Sequence, residues 1–211
     1  MGNFLSLAAV TASLQTKLQR AIPEDISDCR VKAVRPEKAS EGGVQTPAIN
    51  LYLYQVTPNA DRRNEDLPTR FNRTLAKKAR IALDLFYLVS FYGDETDLIP
   101  QRLMGSVVSY LHARPYFEKK SVERTLKGRT YLAESDLSEF LNEIHLTPMT
   151  MNLEEFSRVW SGFFPSVPYA LSLIYKVSVV MIEDSAEPLP VKRVEEVHID
   201  TNPKTRFLRK K

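Results

Sequence analysis

The chain has 211 residues with 29 Lys and Arg against 26 Asp and Glu, a formal net charge of +3. Four of those cations sit in the last six residues, "RFLRKK", leaving 25 against 26 and a net of −1 for the rest, which argues against a broadly cationic nucleic-acid-binding surface. This length buries a core without covalent staples, and a single cysteine, Cys29, excludes an internal disulfide and a multi-thiolate zinc site.

Phe4, Leu7, Thr11, Leu14 and Leu18 recur at helical spacing and predict a helix over 3–20, closed by Pro23. "FLSLAAV" within it has the length of a signal-peptide core, but no Lys or Arg precedes it, so a capped amphipathic helix is the expected reading. "MGNFLS" fits the short myristoylation pattern, which the same helix also accounts for. "CRVKAVRP" alternates as a short strand, and "EKASEGGVQTP" is a polar loop without periodicity.

"AINLYLYQVTPN", residues 48–59, predicts a strand covered on both faces, with Leu51 and Leu53 on one side and Tyr52 and Tyr54 on the other. Residues 60–80 hold seven Lys and Arg, no clear period, and only Phe71 to stack on a base. A solvated or protein-facing excursion is favoured there over a nucleic-acid site. "NRT" within it is a glycosylation pattern that has meaning only along a eukaryotic secretory route.

"ARIALDLFYLVSFYGDE" holds the second long strand, twelve residues over 81–92, with Ile81, Leu83, Leu85, Tyr87, Val89 and Phe91 on a continuous apolar face and Asp84 on the mixed one. At ~3.3 Å per residue such a strand is about 40 Å long, well beyond the usual length. Residues 97–114 predict a helix with Leu103, Val107, Tyr110 and Leu111 on one stripe, provided Pro100 lies in its first turn. One or two short strands are expected within 121–146. Asn152 and Glu155 form a capping box opening a helix that presents Leu153, Phe156, Val159, Trp160 and Phe163 to the core. The third long strand spans 169–184, with Leu171, Leu173, Tyr175, Val177, Val179 and Met181 on one face and Ser172, Lys176 and Ser178 interrupting the other. Beyond it Pro188, Pro190 and Pro203 mark an extension in which "VKRVEEVHID" would form a strand if offered an edge. The expected division is a domain over 1–184 and a basic-tipped extension over 185–211.

Catalytic signatures are sparse. His112, His145 and His198 have no metal spacing, and the seven glycines form neither a dinucleotide fingerprint, a P-loop nor a nucleophile elbow. No cofactor, metal site or catalytic residue is expected, and the expected fold class is α+β, a mixed central sheet of three long strands flanked by amphipathic helices. Association is the function these features suit best.

Four segments carry a family resemblance. "PAINLYLYQVTPNADRRN" supplies Pro58, Asn59, Arg63 and Asn64; "RIALDLFYLVSFYGDE" supplies Leu83, Asp84, Leu85, Tyr87, Tyr92 and Gly93. "QRLMGSVVSYL" supplies Gln101, Leu103 and Gly105, and "FSRVWSGFFPSVPYALSLIYKVSVVMIE" supplies Trp160, Tyr169, Ser172, Tyr175 and Val177. In this order they resemble the tail-cap, or tail-terminator, family of phage-tail-like contractile injection systems. The resemblance implies a tail-terminator-like fold and a non-enzymatic homohexameric ring, without cofactor, that binds tube protein and sheath protein and stops their polymerisation. It further implies cytoplasmic assembly into a particle that is released or anchored, with no small-molecule substrate, no nucleic acid and no direct membrane insertion. Asn59, Arg62, Arg63, Asn64, Arg70, Arg73, Asp84, Arg102 and Lys176 are the expected protein-interface residues, with an Arg from 62–80 as the expected partner of Asp84. The alternative is a nucleic-acid-binding accessory protein using Arg62–Arg80 and the basic C-terminus.

Overall fold

The structure is a computed structural model that describes residues 2–39, 46–62, 80–141, 144–163, 167 and 169–183. Its centre is a mixed five-stranded sheet in the order β1-β2-β3-β5-β4. The strands are β1 (Arg30–Lys32), β2 (Ala48–Pro58), β3 (Arg80–Tyr92), β4 (His145–Met149) and β5 (Ser172–Glu183). β1 runs parallel to β2, and the other three pairings are antiparallel. The long strands expected from the sequence are therefore the three central ones.

β3 is buried on both faces because both of its parities are apolar along the second half. Leu85, Tyr87, Val89 and Phe91 point into the main core, where they meet α1 (Ser6–Gln19), α3 (Ile99–Ala113) and α4 (Lys119–Lys127). Leu88 and Tyr92 point the other way, into a smaller cluster with Trp160 of α5 (Leu153–Ser161) and Ala39 of α2 (Pro36–Ala39). Each fully buried Leu or Val there contributes roughly 1.5–3 kcal/mol relative to exposure, so helices on both faces are what allow such a strand to exist in water.

α1 is buried over more than the expected stripe: Ala9, Val10, Ala12, Ser13 and Lys17 join Leu14 and Leu18. Small residues let it approach closely between the sheet and α4. Thr11 Oγ1 donates to the Leu7 carbonyl at 2.9 Å, so the buried Tyr87 phenol is the donor in its 2.8 Å bond to Thr11. Burial raises the pKa of that phenol and lowers that of Lys17, whose Nζ donates to the Tyr116 carbonyl at 2.8 Å. Phe4, expected on the core stripe, precedes the helix and is 76% exposed.

Pro100 does fall in the first turn of α3, and Leu103, Val107 and Leu111 are its buried stripe. Of the one or two short strands expected over 121–146, one is present among the described residues, β4, which begins at His145. The rest of the described segment opens within α4, and two 3₁₀ turns follow at Thr130–Leu132 and Leu137–Glu139. Val122, Thr125 and Leu126 give α4 a helical stripe that dense surrounding charge conceals. In α5 the capping box is complete, Asn152 Oδ1 accepting from Glu155 N at 2.8 Å and Glu155 Oε2 from Asn152 N at 3.1 Å. Trp160 faces the core, but Leu153, at the first helical position, points away and is 85% exposed.

Tyr87→Phe should lower unfolding free energy by about 1 kcal/mol, and Leu85→Ala by about 2–5 kcal/mol, as read from urea midpoints. Burial pushes the Cys29 thiol up to about 11. It should therefore resist a thiol reagent at pH 8 in the native protein and react fully in denaturant.

Candidate functional site: the bulged end of the sheet

Asp84, Lys176 and Ser178 come together toward the end where β2, β3 and β5 run out past the helices, whereas Ser172 pairs with Ser90 toward the opposite end. The β3–β5 register breaks there: Leu83 pairs with Val180 but Leu85 pairs with Val177, so Ser178 and Val179 together oppose Asp84. This is a β-bulge, which leaves one residue of the longer strand without a ladder partner. Val179 adopts φ 61°, a left-handed conformation that costs a β-branched residue on the order of 1–3 kcal/mol. Asp84 Oδ1 accepts a hydrogen bond from the Val179 N–H at 3.3 Å, so the carboxylate replaces the missing strand partner.

The same oxygen accepts from Asn59 Nδ2 at 2.8 Å, in a buried bond. Asn59 N donates to the Ala82 carbonyl at 2.8 Å and its Oδ1 accepts from Arg62 N at 3.0 Å, which turns the chain out of β2. Lys176 Nζ stands 3.8 Å from Asp84 Oδ2. That separation is an ion pair without a hydrogen bond, and its partial exposure limits its worth to about 0–1 kcal/mol. Asp84 is thus an intrachain fastener joining three strands. Among the described residues Lys176 is a cation beside it; most of the 62–80 segment, from which an Arg partner is expected, lies outside the described residues.

The bulge corrects the predicted face of the third strand. Extra residues reverse side-chain parity, so Val177 and Val180 both enter the main core while Val179 and Met181 do not. A second break, between Leu53 and Gln55, sets Tyr54 outside the β2–β3 ladder, and its ring lies 6.4 Å from that of Phe86.

Of the expected interface residues, Asn59, Arg62, Asp84 and Lys176 are gathered at this end of the sheet. Arg102 is elsewhere, on α3, ion-paired with the exposed Asp25. Arg63, Asn64, Arg70 and Arg73 lie outside the described residues, as do most of the Arg62–Arg80 segment and the extension over 185–211. Among the described residues, no group of three or more His, Cys, Asp and Glu is placed to hold a metal, and no helix is long and apolar enough to cross a membrane.

Two features here escape single-sequence reasoning. The first is an apolar sheet end that the helices do not cover: Val56 is 40% and Ile81 46% exposed, with exposed Pro58 beside them. The second is the outer edge of β2. β1 pairs only with Ala48–Asn50, and the buried Asn50 side chain extends that pairing by bonding Val34 N at 3.3 Å and Val34 O at 3.1 Å. Leu51–Pro58 then have no strand on that side among the described residues. The outer edge of β5 is treated differently. β4 covers Ile174–Ser178, and Gly2 O accepts from Glu183 N at 2.6 Å, so close that a Cβ on Gly2 would meet the Met181 carbonyl at 1.8 Å.

Residues 9–196 match the family described as the Pvc16 N-terminal domain. The chain belongs to that family. The Pvc16 N-terminal-domain fold is also that of two solved structures. One is a sheath/tube terminator, in the extended state, of PVC, an extracellular contractile injection system; it has 14% identity and a TM-score of 0.54, covering 93% of this chain and 64% of that one. The other is the tube-terminating cap of the anti-feeding prophage, at 15% identity and TM-score 0.57, covering 90% of this chain and 59% of that one. The chain therefore spans less than two thirds of the length of either. No curated protein matches the sequence significantly. The resemblance carried by the four segments and the expected α+β tail-terminator fold are both borne out.

Asp84→Ala removes the acceptor of two buried N–H groups and should cost about 2–4 kcal/mol, while Asp84→Asn, which keeps an acceptor oxygen, should cost less than half as much. Val179→Gly relieves the left-handed strain and should be milder than Val177→Gly by more than about 1 kcal/mol in chemical denaturation.

Proposed function

We propose that this protein is a structural, non-enzymatic terminator: copies of it close into a homohexameric ring on the last tube and sheath layers and stop both from growing. The observation that carries the reading is the Pvc16 N-terminal-domain match over residues 9–196, on a fold like that of two terminator caps. The exposed sheet end and the open β2 edge support it, because a ring repeats one heterologous contact and needs surface that the isolated subunit leaves uncovered.

Capping is mass action with geometry. A ring seated on the end of a tube and its sheath buries the surface to which the next subunits would add. The neutral body suits contacts with protein more than with a polyanion. Assembly would take place in the cytoplasm, with the finished particle released or anchored.

Negative-stain images of the purified protein should contain six-fold rings, and adding it to polymerising tube and sheath protein should shorten the products in proportion to its concentration. Tube and sheath lengths indifferent to the protein would refute the reading. Truncation after Asp184 should weaken ring assembly while leaving the thermal transition of the subunit in place; loss of folding would make the extension part of the core. Asp84→Ala should reduce ring yield through loss of the bulged end, and unaffected rings would remove that end from the interface.

A further inference from the structure

We propose that the open edge of β2, Leu51–Pro58, accepts residues 191–200 of a second copy of this chain as an added strand. The inference rests on the ring reading and says how one contact in the ring is made.

Among the described residues the edge is long and unguarded by comparison with the other edges of the sheet. β1 is only three residues long, β4 carries Pro148, and β5 is closed by β4 and by Gly2. Proteins normally shorten, cover or charge such an edge, since it presents a row of unpaired N–H and C=O groups to any strand that arrives. Here Leu51–Tyr54 are apolar or aromatic and no charged residue occurs before Asp61.

The occupant is argued from chain length, pattern and charge. Residues 184–211 follow β5, and within them Val191, Val194, Val197 and Ile199 are β-branched. Beside the start of the open edge lies a groove of about 390 Å³, bordered by Thr11, Val34, Leu53 and the exposed cations Arg35 and Lys38. Glu195, Glu196 and Asp200 give the segment complementary charge.

The source is a neighbour because the ring reading needs one contact handed from copy to copy. Arg80 pairs with Glu183 and Leu83 with Pro58, so β5 ends where β2 also ends and where the 63–79 connection departs. A strand given to the next subunit repeats around a closed ring without leaving a free donor or a free edge.

The test mixes full-length Gln55→Cys protein with Glu195→Cys, Glu196→Cys or Val197→Cys protein under ring-forming conditions and adds a short bismaleimide; buried Cys29 stays silent. Cross-linked dimers are expected in at least one mixture, reduced about tenfold when the tail also carries Val194→Pro, which cannot donate to the ladder. Exchange of β2 amides should slow in rings of the full-length protein relative to the truncation after Asp184. Rings that form without cross-links in any mixture would overturn the proposal and leave the ring reading standing. Cross-links found only within single chains carrying both cysteines would overturn it too, by placing the tail on its own sheet. Protein that neither forms rings nor cross-links would take the ring reading down with it.

Discussion

The pairing of β3 with a neighbour on each side, with a register break on both, is the constraint around which the molecule is organised. A regular three-strand ladder of this length would continue one parity to the tip and send Val179 and Met181 toward the helices. The bulge instead reverses β5 after Val177, so that Val180 packs against Leu83 and the strand tip changes face. The reversal needs one residue in a left-handed conformation and leaves one N–H without a ladder acceptor. Asp84 supplies the acceptor, Asn59 orients the carboxylate, and Lys176 stands near enough to offset part of its charge. A carboxylate in an apolar strand is costly unless its lone pairs are filled, and here filling them is also what fixes the bulge.

That arrangement accounts for what could be read in the chain. β2 and β3 follow from strand periodicity to within one residue at their ends, since β-branched and aromatic runs bounded by Pro58 and Gly93 leave little choice. The α5 capping box is a local motif with local chemistry and is equally legible. Asn59, Asp84 and Lys176 stand out as polar residues on strands, but the partner of Asp84 could not be assigned, because the pairing of β3 with β5 joins residues almost a hundred positions apart. The parity reversal at Val179 was hidden for a related reason: both Val179 and Val180 are apolar, so the pattern continues smoothly through the break. α4 is hard to read because Lys119, Lys120, Glu123, Arg124 and Lys127 dominate its composition, although Val122, Thr125 and Leu126 seat it. Phe4 and Leu153 erred the other way, being apolar residues beside helix starts whose neighbours in phase were buried while they were not.

The bulges also bear on why the strands exceed what one small core requires. β3 is buried from Leu85 to Tyr92 apart from half-buried Phe86, whereas Arg80 and Ile81 are exposed, as are Gln55, Val56 and Pro58 on β2. Extra strand that buried nothing would be lost to fraying, since ordering each residue costs about 1–2 kcal/mol of backbone entropy. The fastener at Asp84 holds that overhang in register without a helix above it. Local rigidity is thereby supplied to a surface whose apolar side chains remain available.

Edges and overhang together distinguish this sheet from that of a self-sufficient subunit. One outer edge is closed with care, down to a glycine packed against a carbonyl where no Cβ would fit. The other is left open beyond Asn50, even though extending β1 by a few residues would have closed it. The chain instead ends β1 at Lys32, lets the Asn50 side chain stand in for one more backbone pair, and turns into α2 through Pro36. In the proposed ring, an asymmetry of this kind, with one edge covered and the other cut short, suits a repeat that closes on copies of itself in one rotational sense. A symmetric pair of open edges would give a two-way polymer, and a pair of sealed ones a monomer. Termination requires neither: a unit that continues around an axis but offers nothing further along it.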